Sequence, residues 1–226
     1  MDRSRYAVPL VALLLVGTIA GAYTLVLTAL GSSPPRSGAT PTDAATLPSR
    51  AAIIPTNPGN RTLYFVPIDS FPPETAAELA AWYGARYGLE VSVRDALPLH
   101  ESTRDPGRNQ LVAERLIELL RRGQPDLESD GGAVVIGLVS EDLYILDRTD
   151  WAWAFGLRSG GRYAVVSEAR MADGDRAVVV SRLRKMLTKN IALLYWGLEA
   201  SDEPSSPVYR DVVSVRDLDR MGEDFG

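Results

Sequence analysis

The chain contains no cysteine and a single histidine, His100, and both scarcities limit the metal sites it can form. Without cysteine there is neither a disulfide framework nor a thiolate-bound metal. A catalytic zinc usually takes three protein ligands, most of them histidines, so one histidine cannot supply such a site. His100 lies in Pro98-Leu99-His100-Glu101-Ser102, where we expect a solvated loop. We therefore predict no metal and no other cofactor.

Basic residues are also in the minority, with 24 Lys and Arg against 29 Asp and Glu, a net charge of −5 and only two lysines, Lys185 and Lys189. A nucleic-acid partner is not expected, because such partners require a basic face. Glycine-rich phosphate loops are absent, and Ser159-Gly160-Gly161 predicts a hairpin turn. The acidic C-terminal residues lack EF-hand spacing, so we expect a solvated charge run there rather than a calcium site.

Charged side chains are missing from Ala7 to Leu30, a run of 24 residues with Arg3 and Arg5 just before it. As a helix this run measures about 36 Å at about 1.5 Å per residue, enough to span a bilayer. Positive charge stays on the cytoplasmic side. We predict a single-pass protein of the cell membrane with its N-terminus cytoplasmic and its C-terminal domain extracytoplasmic. The alternative is a cleaved signal peptide, whose apolar core normally has about 7 to 15 residues.

The remainder of the chain divides by composition. Residues 31–60 hold six of the fifteen prolines with many Ser, Thr and Ala, which predicts an extended linker. The predicted organisation is a cytoplasmic N-terminus at 1–6, a transmembrane helix at 7–30, a linker at 31–60 and a folded domain at 61–226.

Within the domain, hydrophobic periodicity predicts strands alternating with helices. The most apolar strand is expected at the centre of the sheet. The result is an α/β (α+β) fold with a mixed β-sheet packed by helices. The expected strands are Leu63–Val66, Leu89–Val93, Ala133–Val139, Leu143–Leu146 and Tyr163–Ser167, and the expected helices run from Phe71 to Gly88, from Asn109 to Arg122 and from about Asp175 to Leu198.

Several short motifs follow one another along this domain. They are Phe65-Val66-Pro67-Ile68, Arg108-Asn109-Gln110-Leu111, Ile136 to Tyr144, Trp153-Ala154-Phe155-Gly156, Ala164 to Ser167 followed by Arg170, the basic pair Arg182 and Lys185, and Leu218-Asp219. In this order they resemble the archaemetzincin family of zinc peptidases. The resemblance covers Leu63 to Asp219 and implies a zincin-like fold.

The resemblance also implies where a catalytic site would lie. In that family a helix supplies two zinc-binding histidines four residues apart, a catalytic Glu beside the first, then Gly-Leu and a third ligand. Gly197-Leu198 sets the register here. It places Asn190 at the first His, Ile191 at the Glu, Leu194 at the second His and Ala200 at the third ligand. Tyr209 then takes the position of the family's Met-turn.

These replacements remove the chemistry of a metallopeptidase. Two histidines at i and i+4 hold the metal from one helical face, and the neighbouring Glu takes a proton from metal-bound water. Ile191 accepts no proton, Leu194 has no lone pair, and Asn190 is at best a weak oxygen donor. Without the resemblance the same segment reads as an ordinary buried helix, since Ile191, Leu194, Tyr195 and Leu198 form an apolar stripe. We therefore predict an inactive relative of the zinc peptidases.

A peptide-binding role is the first functional hypothesis. The resemblance implies that Ala164, Val165, Val166 and Ser167 form the edge strand lining the old substrate cleft, where an extended peptide can pair. Trp153 and Phe155 are candidates for the cleft wall, with core packing as the alternative. Two other functions stay open. One is an assembly module that contacts a membrane protein through another surface, and the other is an active metallopeptidase whose ligands lie elsewhere.

Overall fold

The computed structural model describes residues 55–225. The predicted transmembrane helix and most of the predicted linker lie outside this range. Between residues 55 and 225, no helix combines the length and apolar character needed to cross a membrane.

Eight strands and five helices make up the described part of the chain. The strands are β1 (Thr62–Pro67), β2 (Val91–Val93), β3 (Arg104–Asp105), β4 (Gln110–Val112), β5 (Ala133–Val139), β6 (Leu143–Tyr144), β7 (Gly156–Ser159) and β8 (Tyr163–Ser167). The helices are α1 (Pro73–Tyr87), α2 (Ala113–Gly123), α3 (Pro125–Ser129), α4 (Arg176–Leu194) and α5 (Val215–Arg220), with 3₁₀ turns at Glu101–Thr103 and Ala169–Met171.

The main sheet has five strands in the order β2-β1-β5-β8-β7. β2, β1, β5 and β8 run parallel, and β7 pairs with β8 in the antiparallel direction. A smaller sheet contains β3, β4 and β6. The expected mixed sheet is therefore confirmed. β5 lies at its centre, and all seven of its residues are buried, as an unbroken apolar run predicts for a strand covered on both faces.

The sheet lies between two layers of helices. Because side chains alternate along a strand, Val134, Ile136 and Leu138 of β5 pack with α1 and α4 on one face. Val135 and Val139 pack with α2 and α3 on the other face. The two hydrophobic cores of this three-layer arrangement are separated by the sheet itself.

Helix α1 begins and ends where the sequence predicts. Pro73 occupies the first turn, where its missing N–H costs no hydrogen bond. Gly88 ends the helix in the left-handed region at φ 64°, which a glycine adopts without strain. On the inner face, Leu79 and Tyr83 are buried against the sheet.

Other boundaries differ from the prediction. The segment expected to open the second helix instead forms β4, and α2 starts only at Ala113. The apolar side chains of Leu111 and Val112 fit either structure, and pairing of β4 with β3 and β6 decides in favour of the strand. α4 ends at Leu194 rather than Leu198, because Gly197 turns the chain at φ 68°. β3, β7, α3 and α5 were not predicted.

The C-terminal segment is held against α4 by Arg182, whose side chain is buried. Its guanidinium donates to both carboxylate oxygens of Asp219 at 2.7 and 2.8 Å and to the carbonyl oxygen of Met171 at 2.9 Å, and it also contacts Asp173. Lys185 donates to the carbonyl oxygens of Leu218 and Asp219 at 3.1 and 3.0 Å. The basic pair and the Leu-Asp pair of the sequence motifs therefore meet in space.

Replacing Arg182 by methionine is expected to lower the free energy of unfolding by about 1 to 3 kcal/mol, because it leaves the buried carbonyl oxygen of Met171 without its donor and removes the pairs with the partly exposed Asp173 and Asp219. The matched control is Arg122→Met, since Arg122 forms an exposed pair with Glu118 on α2. That change is expected to cost less than about 1 kcal/mol. Denaturant unfolding of both variants measures the difference, and equal losses would contradict a structural role for Arg182.

Candidate functional site

The position that aligns with the first zinc-binding histidine is closed by hydrogen bonds. Asn190 lies near the end of α4 and is only 2% exposed. Its side-chain amide donates to the carbonyl oxygen of Met186 at 2.7 Å. Its Oδ1 accepts from Nη1 of Arg158, on β7, at 3.2 Å. The one oxygen that could face a metal is therefore directed at a guanidinium.

The next two positions belong to the hydrophobic core. Ile191 and Leu194 are 0% and 5% exposed and pack with α1 and the sheet. A carboxylate at position 191 would lie in an apolar environment, where an unpaired charge is strongly disfavoured. The packing explanation of the apolar stripe is thus the one that the structure supports.

Beyond Gly197 the remaining two positions also lack metal-ligand character. Ala200 is half-buried and offers no donor. Tyr209 is half-buried and packs against the core that contains α4, and its backbone pairs with Ser201 in an isolated parallel bridge.

These residues do not fit a zinc ion. The positions assigned to the three ligands and the catalytic Glu are Asn190, Ile191, Leu194 and Ala200. Three of them carry hydrocarbon side chains, and the amide oxygen of Asn190 already accepts a hydrogen bond. Across residues 55–225, no three His, Cys, Asp or Glu side chains group together in a way that could hold a metal. His100 is exposed, far along the chain from α4, and its Nδ1 accepts from the Ser102 N–H at 3.2 Å.

A cleft of about 740 Å³ lies beside this part of α4. Strand β7 forms one wall, and the segment from Arg210 to Val213 borders it. α4 contributes Met186 and Lys189, while the loop before β7 contributes Trp151 and Phe155 among others. None of the positions that align with zinc ligands lines this cleft, although Lys189 immediately precedes Asn190 and Arg158 contacts it.

The strand beside this cleft is not the predicted one. Ala164, Val165, Val166 and Ser167 belong to β8, which lies between β5 and β7 and is buried along its whole length. The prediction that these residues form the edge strand was wrong. Four consecutive buried residues fit an interior strand covered on both faces. The edge strand is β7, and its outer side pairs with no other described strand.

The aromatic residues before β7 both pack in the core and line a cavity, the two roles that the sequence left open. Phe155 is buried in the core, and it also lines the cleft. Trp153 packs on the same core edge-on to Phe155, with ring centroids 4.8 Å apart, and lines a smaller cavity of about 160 Å³. Trp151 borders both cavities.

The cleft wall is fixed from behind by residues of the sequence motifs. Gln110 donates to Asp142 at 2.8 Å and to the carbonyl oxygen of Ala152 at 3.0 Å. Arg108 donates to the same carbonyl oxygen at 2.8 Å and lies over the Tyr144 ring at 4.0 Å from its centre. Arg170 forms an ion pair with Asp142. Motifs that are distant in sequence therefore meet in one network that positions the loop around Ala152.

Two cations of the cleft carry perturbed pKa values. Lys189 is only 4% exposed, and its Nζ donates to the carbonyl oxygen of Arg210 at 2.9 Å. Burial, with a smaller contribution from Arg158, lowers the pKa of Lys189 from 10.5 to about 8, and Asp211 partly opposes this change. Burial also lowers the pKa of Arg158. Sequence reasoning missed both residues, since Lys189 reads as a charge on the outer face of an amphipathic helix.

Some of the acidic C-terminal residues form ion pairs with arginines. Glu223 forms an ion pair with Arg184 of α4, and Asp224 pairs with Arg86 of α1 at 2.8 Å. Asp202 pairs with Arg210 at 2.8 Å. The expectation of a solvated charge run is therefore correct for Asp202, Glu203 and Asp211, which are exposed, and wrong for Glu223 and Asp224, which pair with arginines of α4 and α1.

The pKa of Lys189 predicts a pH dependence of stability. Above about pH 8 the folded chain loses a proton that the unfolded chain keeps up to its ordinary lysine pKa, so stability rises with pH. Between about pH 8 and 10 we expect Lys189→Met to reduce this rise by about 1 to 3 kcal/mol. Denaturant unfolding across this range measures it, with Arg122→Met as the control, because Arg122 is exposed and the change leaves both lysines in place. Superimposable profiles of the wild type and Lys189→Met would contradict the prediction.

Comparison with known proteins finds similarity to archaemetzincins and to a zinc-dependent peptidase. No family model matches the chain. An archaemetzincin from Natronomonas pharaonis is 28% identical over 170 residues, which cover 71% of this chain and 92% of that protein. The crystal structure of an archaemetzincin from Methanopyrus kandleri matches with a TM-score of 0.57 at 26% identity, covering 74% of this chain and 90% of that one.

Two further structures share the fold. An archaemetzincin from Archaeoglobus fulgidus, crystallised as a complex with malonate, has a TM-score of 0.58 at 20% identity over 73% of this chain and 96% of its own. A zinc-dependent peptidase from Methanocorpusculum labreanum has a TM-score of 0.58 at 21% identity over 72% and 95%. Fold and sequence agree, and the described domain is archaemetzincin-like.

Proposed function

We propose that this protein is a non-catalytic, membrane-anchored, archaemetzincin-like module that binds extended peptide segments in the cleft beside β7. The observation that carries the proposal is the combination of an open cleft along an unpaired edge strand with a neighbouring helix whose ligand positions are packed or hydrogen-bonded. Binding needs the cleft and the strand, whereas peptide hydrolysis needs the missing base and ligands.

The edge of β7 suits main-chain pairing. The N–H of Ser167 donates to the carbonyl oxygen of Phe155 at 2.9 Å, so the antiparallel alternation directs the backbone groups of Gly156 and Arg158 away from β8. An extended peptide can use such groups to add a strand to the sheet. The cleft volume of about 740 Å³ also suits a ligand, because binding pockets commonly measure about 300 to 1,000 Å³.

Loss of catalysis follows from the chemistry of the aligned side chains. Ile191 cannot serve as a general base, and Leu194 cannot bind a metal. Their burial makes a nearby rearrangement to a polar site costly, since each large aliphatic side chain contributes about 1.5 to 3 kcal/mol when buried.

The N-terminal run supports a location at the membrane. Ala7 to Leu30 carries no charge and is long enough to span, and Arg3 and Arg5 favour retention of the N-terminus in the cytoplasm. The domain then lies outside the cytoplasm beyond a proline-rich linker. Accessibility of the domain to added protease on intact cells tests this orientation, and protection until lysis would contradict it.

An assembly module that acts through another surface is the second candidate. It is favoured by the absence of Ile191 and Leu194 from the cleft lining, since the old ligand positions then form no part of a binding surface. The acidic C-terminal residues are poor candidates for that surface, because Glu223 and Asp224 already pair with arginines. Peptide binding by the isolated full-length chain distinguishes the two functions.

The full-length chain, purified in detergent, is expected to contain far less than one zinc per chain and to leave a mixed peptide substrate intact. Elemental mass spectrometry measures the metal, and chromatography of the peptides before and after chelation measures hydrolysis. Stoichiometric zinc together with hydrolysis that a chelator abolishes would establish instead an active metallopeptidase with displaced ligands.

Peptide binding is expected to depend on the cleft rim. A pool of random octapeptides with free carboxyl termini is captured by the full-length chain, and the retained peptides are resynthesised for fluorescence titration. Val213→Glu is expected to weaken their binding about tenfold or more, because it places a charge beside the apolar wall. Val213 is 54% exposed, so the change should spare the fold.

Val178→Glu is the matched control, since Val178 is 38% exposed on α4 and lines neither the cleft nor the smaller cavity beside it. We expect it to bind as the wild type does. If the pool yields no ligand, peptide binding is abandoned in favour of the assembly module, which crosslinking in intact membranes then tests.

A further inference from the structure

We propose that the cleft recognises the free C-terminal carboxylate of its peptide, with Arg158 and Lys189 as the two side chains that bind it. This inference rests on the proposed function and names the part of the peptide that the cleft selects. It follows from the charges in the cleft wall, their partners within the fold and the apolar surface next to them.

Arg158 has no acidic partner in the described part of the chain. The ion pairs formed by residues 55–225 do not include it, and its one hydrogen-bonding partner is the neutral amide oxygen of Asn190 at 3.2 Å. A guanidinium has five N–H donors in a planar fork that matches a carboxylate. Asn190 uses one of them, and the others remain available on the cleft side of β7.

Lys189, which precedes Asn190 on α4, lines the same cleft and also forms no ion pair among the described residues. Its ammonium group donates to the carbonyl oxygen of Arg210. An ammonium has three donors, so two are left. The pKa of Lys189 is lowered mainly by burial and to a smaller extent by the charge of Arg158, so burial of Lys189 and repulsion between the two cations are both unfavourable. An anion placed between them would relieve both costs.

The other charges of the cleft are mostly compensated. Arg148 pairs with Asp150, and Arg210 pairs with Asp202. Glu114 accepts the backbone N–H of Leu146 at 3.0 and 3.2 Å. Of the four cations that line the cleft, Arg158 and Lys189 are therefore the two without an ion pair within residues 55–225, and Asp211 offsets only part of the charge of Lys189.

The two remaining acids favour a singly charged ligand. Asp147 and Asp211 also line the cleft, and neither belongs to an ion pair of the described residues. They would oppose a dianion such as a phosphate group more than a carboxylate, since repulsion grows with the ligand's charge. A carboxylate at the end of a peptide also satisfies the geometry, because the chain itself extends along β7.

The apolar wall completes the site. Trp151, Phe155 and Val212 line both the main cleft and the smaller cavity of about 160 Å³ that adjoins it. Val213, 54% exposed, belongs to the same wall. The terminal carboxylate of a peptide matches the two cations, and apolar side chains next to that carboxylate match the apolar cavity. The preferred ligand is therefore the apolar C-terminal end of a protein chain.

The test compares three forms of one octapeptide selected by the full-length protein in detergent. The forms are the free acid, the C-terminal amide, and an amide whose last residue is replaced by aspartate. We expect the amide to bind about tenfold or more weakly than the acid, because a charge-assisted hydrogen-bonded pair is lost. The aspartyl amide is expected to bind as poorly as the plain amide, because its carboxylate lies on a side chain.

Variants locate the effect. Arg158→Gln and Lys189→Gln are each expected to reduce the ratio of acid to amide affinity, while Arg158→Lys, which keeps the charge, retains part of it. Lys185→Gln, which changes the other lysine of α4 outside the cleft, is expected to keep the full ratio. Circular dichroism and thermal melting check that each variant is folded.

Three outcomes overturn the inference. If the wild type binds the acid and the amide equally, the carboxylate is not recognised, whatever the variants do. The proposed peptide binding itself is not contradicted by that result. Equal binding of the acid and the aspartyl amide shows a carboxylate site that does not select the chain terminus. If no form binds, the proposed function fails as well.

Discussion

The packing of α4 against the sheet is the constraint on which the rest of this domain depends. Leu183, Leu187, Ile191 and Leu194 form one continuous apolar face with the interior strands and α1. At about 1.5 to 3 kcal/mol for each large buried aliphatic side chain, this face alone contributes stability comparable to the net stability of a domain. Because α4 is anchored in this way, the domain does not need a metal to hold the helix, and the helix cannot expose these positions without unfolding its core.

The same helix determines what the cleft offers. With one face of α4 committed to the core, the residues of the adjoining face, Met186 and Lys189, border the cleft. Asn190 lies between the two faces, bonded back to its own helix and across to Arg158 of β7. This bond joins the helix to the edge strand. Arg158 and Lys189 lie next to this bond, and neither forms an ion pair within the described residues.

The sequence predicted most of the scaffold, because its interior strands are uninterrupted apolar runs. β5 and β8 were predicted at the residues where they occur, and the resemblance was correct for the fold. The edge strand was assigned wrongly, because Gly156-Leu157-Arg158-Ser159 shows neither alternation nor an apolar run, so that only pairing with β8 makes it a strand. Lys189 was missed for a related reason. Periodicity identifies the apolar face of a helix. It does not show that Lys189, beside that face, is covered by β7 and the Arg210 segment.

The motifs that carry the resemblance hold the wall of the cleft. Gln110, Asp142 and Arg108 hold the carbonyl oxygen of Ala152 and thereby the loop that carries Trp151 and Phe155 into the wall. None of these contacts involves the positions that align with zinc ligands. The loop of the wall therefore depends on the polar network around Ala152, whereas α4 is held by its apolar face in the core. The edge strand and the wall are thus available for binding with Asn190, Ile191, Leu194 and Ala200 as they stand.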